Sequence, residues 1–329
     1  MKLTVTKQNE QYDLQFQRIV QLCGISFKKK KYILESLKKY FSSERYAPYE
    51  ETMEENIYLD GALPGRRYFE IYAIADRSDL LDMIQLGRKT LMSEYLKYQI
   101  QEYSLQSEVE KIIEIFTNIY NQLNQTVMCD FLNIQMDFRP EELFDIIQKS
   151  EITTDGEESP ELLSDYELLK NVFVLIEKIQ SKVPRKIMVI IENIDHLVTI
   201  KEYENLFRQI DQICKSTDTW VVFSMSVEGF VFLDEKSIEG INIINDEVIS
   251  CPPLEKIQMF VERNYPCHKD FTKEELTSLI RASVNRIGNE NVTINQKSDI
   301  FLKMVNSSLC IDTKVENTIN NVEKNYLEA

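Results

Sequence analysis

The run Ile187 to Ile191 in KIMVIIENID is continuously apolar, too short for a helix and rich in β-branched residues. That combination predicts a strand buried on both faces of a parallel sheet. Glu192 follows at its carboxyl end, where open α/β sheets place ligands. Tyr203, Leu206, Phe207, Ile210 and Ile213 then recur at helical spacing, and WVVFSMS (Trp220 to Ser226) supplies a second short apolar strand. Together they predict a βαβ unit with a right-handed crossover.

Alternation of apolar and polar residues in KLTVTKQ, an Asn-Glu pair, and a resumed strand pattern in YDLQFQRIVQLC predict an opening hairpin that leads into a core strand. After Gly24, Ile33, Leu34, Leu37, Tyr40 and Phe41 mark one face of a helix. Pro64-Gly65 turns the chain into RRYFEIYAI, a further strand with Arg66 and Arg67 at its entrance. From about Ser78 to Leu123 the pattern is helical, with Leu105, Val109, Ile112, Phe116, Ile119 and Leu123 in steps of four and three. The seam fits a helical hairpin packed on itself or an intermolecular coiled coil. Residues 151–167, with Gly156 and Pro160, read as a solvated loop before a helix from Tyr166 to Ile179.

Pro252-Pro253 sets a domain edge, since proline cannot continue a central strand. Beyond it come helix patterns at Leu254, Ile257, Phe260 and Val261, at Leu276, Leu279 and Ile280, at Ile300, Phe301 and Met304, and at Val315, Ile319 and Val322. The fold class expected is α/β: a degenerate P-loop ATPase-like head with a mostly parallel sheet (1–75 and 124–253), a helical leg insertion (76–123) and an extra C-terminal α-helical region (254–329).

The P-loop in this expectation is degraded. Laid on GxxxxGK[ST], the first glycine is Gly24, but the second falls on Lys29, the lysine on Lys30 and the hydroxyl residue on Lys31. Without the second glycine the backbone cannot readily wrap a phosphate, and without the hydroxyl a magnesium ligand is missing. Nucleotide hydrolysis through Glu192 and an atypical phosphate loop is therefore the lesser reading, with a capping or structural role for Glu192 ahead of it.

Composition narrows the rest. The 329 residues are 43% hydrophobic, ample for a core, and no run approaches the length needed to cross a bilayer. The N-terminus has no apolar signal region, so the chain reads as cytoplasmic. Six scattered cysteines (Cys23, Cys129, Cys214, Cys251, Cys267, Cys310) show no CxxC pair, and they read as reduced and mostly buried thiols. His196 and His268, the only histidines, leave little material for a histidine-rich metal site or a Ser-His-Asp triad.

The net charge of −16 argues against indiscriminate nucleic-acid binding, yet it is segregated. Residues 24–45 carry seven bases against two acids, while 130–167 carry twelve acids against two bases. Lys28 to Lys31 open a helix, where the macrodipole disfavours cations and a bound polyanion would relieve the penalty. On residues alone the run is either a solvated face or a sequence-independent phosphate contact. In the acidic stretch Asp130, Asp137, Glu141 and Glu142 form the closest cluster and suit a hard cation such as Ca²⁺, although no EF-hand pattern is present.

The strand and basic helix RIVQLCGISFKKKKYILESLKKYF, the helical insertion followed by an acid-rich stretch, and KIMVIIENIDHLVTIKEYENLF followed by WVVFSMS resemble the Csn-two family. This is the CRISPR-associated adaptation protein of type II-A systems, here in its longer variant. The resemblance covers roughly residues 1–250 and includes no invariant catalytic signature. It implies a head related to P-loop ATPases that has lost their activity, a helical leg and a homotetrameric ring. The ring's basic channel would hold linear double-stranded DNA by its ends, with calcium supporting assembly, in spacer acquisition beside the integrase subunits and the effector nuclease. By the same resemblance Lys28, Lys29, Lys30, Lys31, Lys38, Lys39, Arg66 and Arg67 are the expected DNA-contacting residues, and the acids from Asp130 to Glu142 the calcium-binding stretch. The expected function is non-enzymatic DNA-end binding. The alternatives are a P-loop-class NTPase and a scaffold that recruits partners through the seam without touching DNA.

Overall fold

The computed structural model describes residues 1–42, 45–87, 89–130, 150–154, 156, 158–227, 229–267, 270–290, 296–313, 322 and 326. Contacts group it into two units, residues 1–76 with 185–329, and residues 77–184.

The first unit holds two sheets. β1 (Lys2–Lys7) and β2 (Glu10–Gln15) form the expected hairpin, with a register from Lys2 opposite Gln15 to Lys7 opposite Glu10. The hairpin does not join the main sheet: it makes a small antiparallel sheet with β4 (Ile57–Leu59) in the order β2-β1-β4. The chain breaks between Gln15 and β3 (Ile19–Cys23), which starts the main sheet. Three-residue β4 carries too few positions to show a period.

The main sheet has the order β5-β6-β7-β3-β8-β9, with β5 (Glu70–Ile74), β6 (Ile187–Ile191), β7 (Thr219–Ser224), β8 (Ile241–Ile244) and β9 (Val248–Ser250). Every pairing is parallel except β8 with β9. The mixed α/β class with a mostly parallel sheet is therefore as the sequence implied. β3, β6, β7 and β8 are buried at every position, and β6 and β7 accordingly read as apolar runs and not as alternations. Backbone at Gln15 ties the two sheets together, donating to Asn242 Oδ1 at 2.9 Å and Ser250 Oγ at 3.1 Å. Trp220, the single tryptophan of the chain, sits in β7 with the Arg18 guanidinium 3.7 Å from its ring centroid and Phe69 edge-on at 4.9 Å.

α1 (Phe27–Phe41) follows β3 and buries Lys30, Ile33, Leu34, Leu37, Tyr40 and Phe41. The other helices of the second unit and beyond begin with α2 (Arg77–Ile84), α3 (Leu91–Ile100), α4 (Tyr103–Asp130) and α5 (Asp165–Lys182). They continue with α6 (Ile200–Ser216), α7 (Leu254–Asn264), α8 (Lys273–Ser283) and α9 (Gln296–Ser308). Capping boxes open three of them: Ser164 with Glu167 at α5, Thr199 with Glu202 at α6, and Thr272 with Glu275 at α8.

Within the second unit α2 and α3 pack on α5. Arg77 fixes its lower edge, reaching the Asp165 carboxylate and the carbonyls of Glu161 and Leu163. α4 carries the seam seen in sequence, and its Leu105, Ile112, Ile119 and Leu123 stand 38 to 47% exposed, with Ile115 beside them at 59%. Residues 131–149 lie outside the described residues. Among the described cysteines Cys23, Cys214 and Cys251 are buried free thiols, while Cys267 and Cys310 are exposed ones.

Candidate functional site

The carboxyl end of the main sheet is where β3 hands over to α1 and where Glu192 follows β6. β3 runs into a short turn, Gly24-Ile25-Ser26, and α1 begins at Phe27. Gly24 has φ +87°, and a Cβ there would lie 2.6 Å from Ile244 O and 2.7 Å from Asn245 Oδ1. Only glycine fits. The Ile25 N–H donates to Asn245 Oδ1 at 2.9 Å, and the Ser26 N–H to Ile244 O at 3.0 Å. A phosphate loop works by pointing free amides at its anion. Here two of those amides are spent on the β8–β9 turn.

The lysine row splits by direction. Lys28 and Lys31 are exposed, and among the described residues neither ammonium has a partner. Lys29 reaches the carbonyl of Asp246 and lies 5.8 Å from the Tyr12 ring centroid. Lys30 turns inward: it is 3% exposed, and its Nζ donates to Met225 O at 2.6 Å, past the end of β7. Burial lowers its pKa, partly opposed by Cys23 and the Asp195 carboxylate. Asp195 in turn accepts from the Ser226 N–H at 3.0 Å and from the Ser226 hydroxyl.

Lys38 and Lys39 are also engaged. Lys38 pairs with Glu192 and, at 3.1 Å, with Glu35. Burial pulls its ammonium down, but hydrogen bonds and attraction from Glu192 and Glu35 outweigh that and hold its pKa above the ordinary value. The strand-end carboxylate that a metal–nucleotide complex would need is thus already matched by a helix lysine. Lys39 pairs with Glu50 at 3.0 Å.

The two arginines differ. Arg66 donates to the carbonyls of Tyr40 at 3.2 Å and Ser42 at 2.9 Å, closing the C-terminus of α1, and stacks on Tyr46 with 4.9 Å to the centroid. Arg67 is exposed and has no partner among the described residues. Of the eight sequence-derived cations, then, Lys28, Lys31 and Arg67 present free charge, Lys29 is partly committed, and Lys30, Lys38, Lys39 and Arg66 hold the fold together.

Of the expected calcium ligands, Asp137, Glu141 and Glu142 lie outside the described residues, and only the backbone of Asp130, at the end of α4, is inside them. Among the described residues no group of three or more His, Cys, Asp or Glu could hold a metal ion. No described helix is long and apolar enough to cross a membrane. The sequence reading missed Asn245 and the Asp195–Ser226 pair. The signal for Asn245 was present as a short apolar run, INII, stopped by Asn-Asp.

The model of the CRISPR-associated protein Csn2 subfamily St matches residues 5–320. The crystal structure of Stu0660 of Streptococcus thermophilus superposes with a TM-score of 0.87 at 19% identity, covering 100% of this chain and 99% of that one, which establishes the shared fold. The SmcHead bound to the C-winged helix domain of ScpA gives a TM-score of 0.40 at 12% identity, covering 78% of this chain and 98% of its own, too distant to carry an argument. No curated protein matches the sequence.

Proposed function

The chain belongs to the CRISPR-associated Csn2 family, subfamily St, and from that premise we propose that it is a non-enzymatic, sequence-independent binder of linear double-stranded DNA ends that supports spacer acquisition. In this reading it acts as a ring-shaped homotetramer beside the integrase subunits and the effector nuclease. The head is a P-loop ATPase-like core whose nucleotide site has been closed from within.

One observation carries the reading. At the carboxyl end of the sheet Glu192 is matched by Lys38 and the Gly24 turn is filled by Asn245, while Lys28 and Lys31 at the start of α1 have no partner for their ammonium groups among the described residues. Chemistry on a triphosphate needs the first two groups free, whereas phosphate binding along a duplex needs only the last two. Because such contacts read the backbone and not the bases, sequence preference is not expected. Calcium belongs to the proposal through Asp130, Asp137, Glu141 and Glu142, since hard cations prefer several carboxylate oxygens. The ion would offset the repulsion among these like charges.

Enclosure by a ring supplies end dependence, because a closed ring loads only by threading. A gel shift comparing one plasmid in linear and in closed circular form tests this. Retention of the linear form alone is expected, and equal retention of both would sink the threading reading.

A further inference from the structure

Asn245 does more than fill the turn before α1. Its carboxamide is 6% exposed and faces two glycines from different parts of the first unit. On one side Oδ1 accepts from the Ile25 N–H at 2.9 Å. On the other, Nδ2 donates to Ile287 O at 2.7 Å. Gly288 has φ +94°, and a Cβ there would come within 2.5 Å of Asn245 Nδ2, just as a Cβ at Gly24 would come within 2.7 Å of Oδ1. Both neighbours are kept bare so that one amide can sit between them.

The connection continues into the C-terminal helices. The Gly288 N–H donates to Asn306 Oδ1 at 2.9 Å, and Asn306, fully buried on α9, donates from Nδ2 to Thr313 Oγ1 at 2.7 Å and to Asn289 O at 3.2 Å. Two buried carboxamides therefore link the backbone just ahead of Lys28 to Thr313, itself buried. Each is a fixed-length, two-ended connector whose loss would strand buried donors and acceptors.

We propose that Asn245 is a positioning residue that couples the C-terminal helices to the lysine-bearing start of α1, with Asn306 as the next link. The C-terminal region thereby sets how Lys28, Lys29 and Lys31 are presented. This rests on the DNA-binding reading for its functional half, but the coupling itself is a property of the folded chain.

The full-length chain and its variants Asn306→Ala, Asn245→Ala and Leu279→Ala, with the double variant Asn245→Ala/Asn306→Ala, test it by two measurements. The first is amide hydrogen exchange at Ile25, without DNA. The second is binding of a short blunt linear duplex across a salt series. Asn306→Ala, which touches nothing in the turn, is expected to speed exchange at Ile25 about tenfold and to weaken duplex binding severalfold. Leu279→Ala, which opens a hole in α8, should leave Ile25 unchanged. The double variant should match Asn245→Ala at Ile25, because the link is already cut. Wild-type exchange at Ile25 in Asn306→Ala, or equal acceleration in Leu279→Ala, overturns the coupling. Should Asn245→Ala fail to fold, the comparison of Asn306→Ala with Leu279→Ala still decides. A wild-type chain that binds no duplex overturns the DNA reading and the presentation of the lysines with it, whereas the exchange result alone rules on the link.

Discussion

Four consecutive lysines cannot all face water on a packed helix. Successive residues are rotated by about 100°, so Lys28 to Lys31 sweep most of the circumference and one must meet the core. It is Lys30, because Ile33, Leu34 and Leu37 lie on the same stripe. Its inward turn was legible in the spacing of those three residues, but a charge run conceals it. What could not be read was the acceptor, since Met225 lies 195 positions away in sequence. We therefore expect Lys28→Ala and Lys31→Ala each to flatten the logarithmic salt dependence of duplex binding by about one unit, the signature of a lost phosphate contact. Lys30→Met should leave that slope untouched, because its ammonium is spent inside the protein. A Lys30→Met slope that falls like the other two would mean that the buried geometry does not persist in solution.

At the level of elements, long buried strands and capped helices declared themselves, while short strands did not. β6 and β7 are five and six residues of mostly β-branched or aromatic side chains, and α6 has its apolar stripe and capping box. β8 and β9 are only four and three residues long and depend on pairing partners far away in sequence. α1 is joined to the end of β6 by Lys38 and Glu192, a pair invisible to local pattern. Because the folded Lys38 value is raised above the ordinary 10.5, the unfolded chain releases that proton first. The pair's contribution is thus whole below about pH 10.5 and lost as pH climbs through the folded value. In urea unfolding, the stability gap between wild type and Lys38→Met should hold steady from neutral to mildly alkaline pH and shrink above it. A gap independent of pH would show that the pair adds nothing.

Taken whole, the molecule is an anion that leaves Lys28 and Lys31 unpaired at the start of α1 among the described residues. With a net charge of −16, self-repulsion between copies must be offset for any ring to close. Calcium at the acidic stretch would do so, and the solution mass with and without calcium measures it. A tetramer with the ion and smaller species after chelation are expected, and a monomer under both conditions would remove the ring. The helical period of α4 was legible, whereas the packing of α5 on α2 and α3 joins segments far apart in the chain. Trp220 has a practical corollary. The chain holds one indole, in the central strand of the main sheet, and residues 77–184 contain none. Its emission is an intrinsic optical reporter of one unit alone, so fluorescence and far-ultraviolet dichroism recorded together would tell separate melting of the two units from a single concerted transition without any added dye.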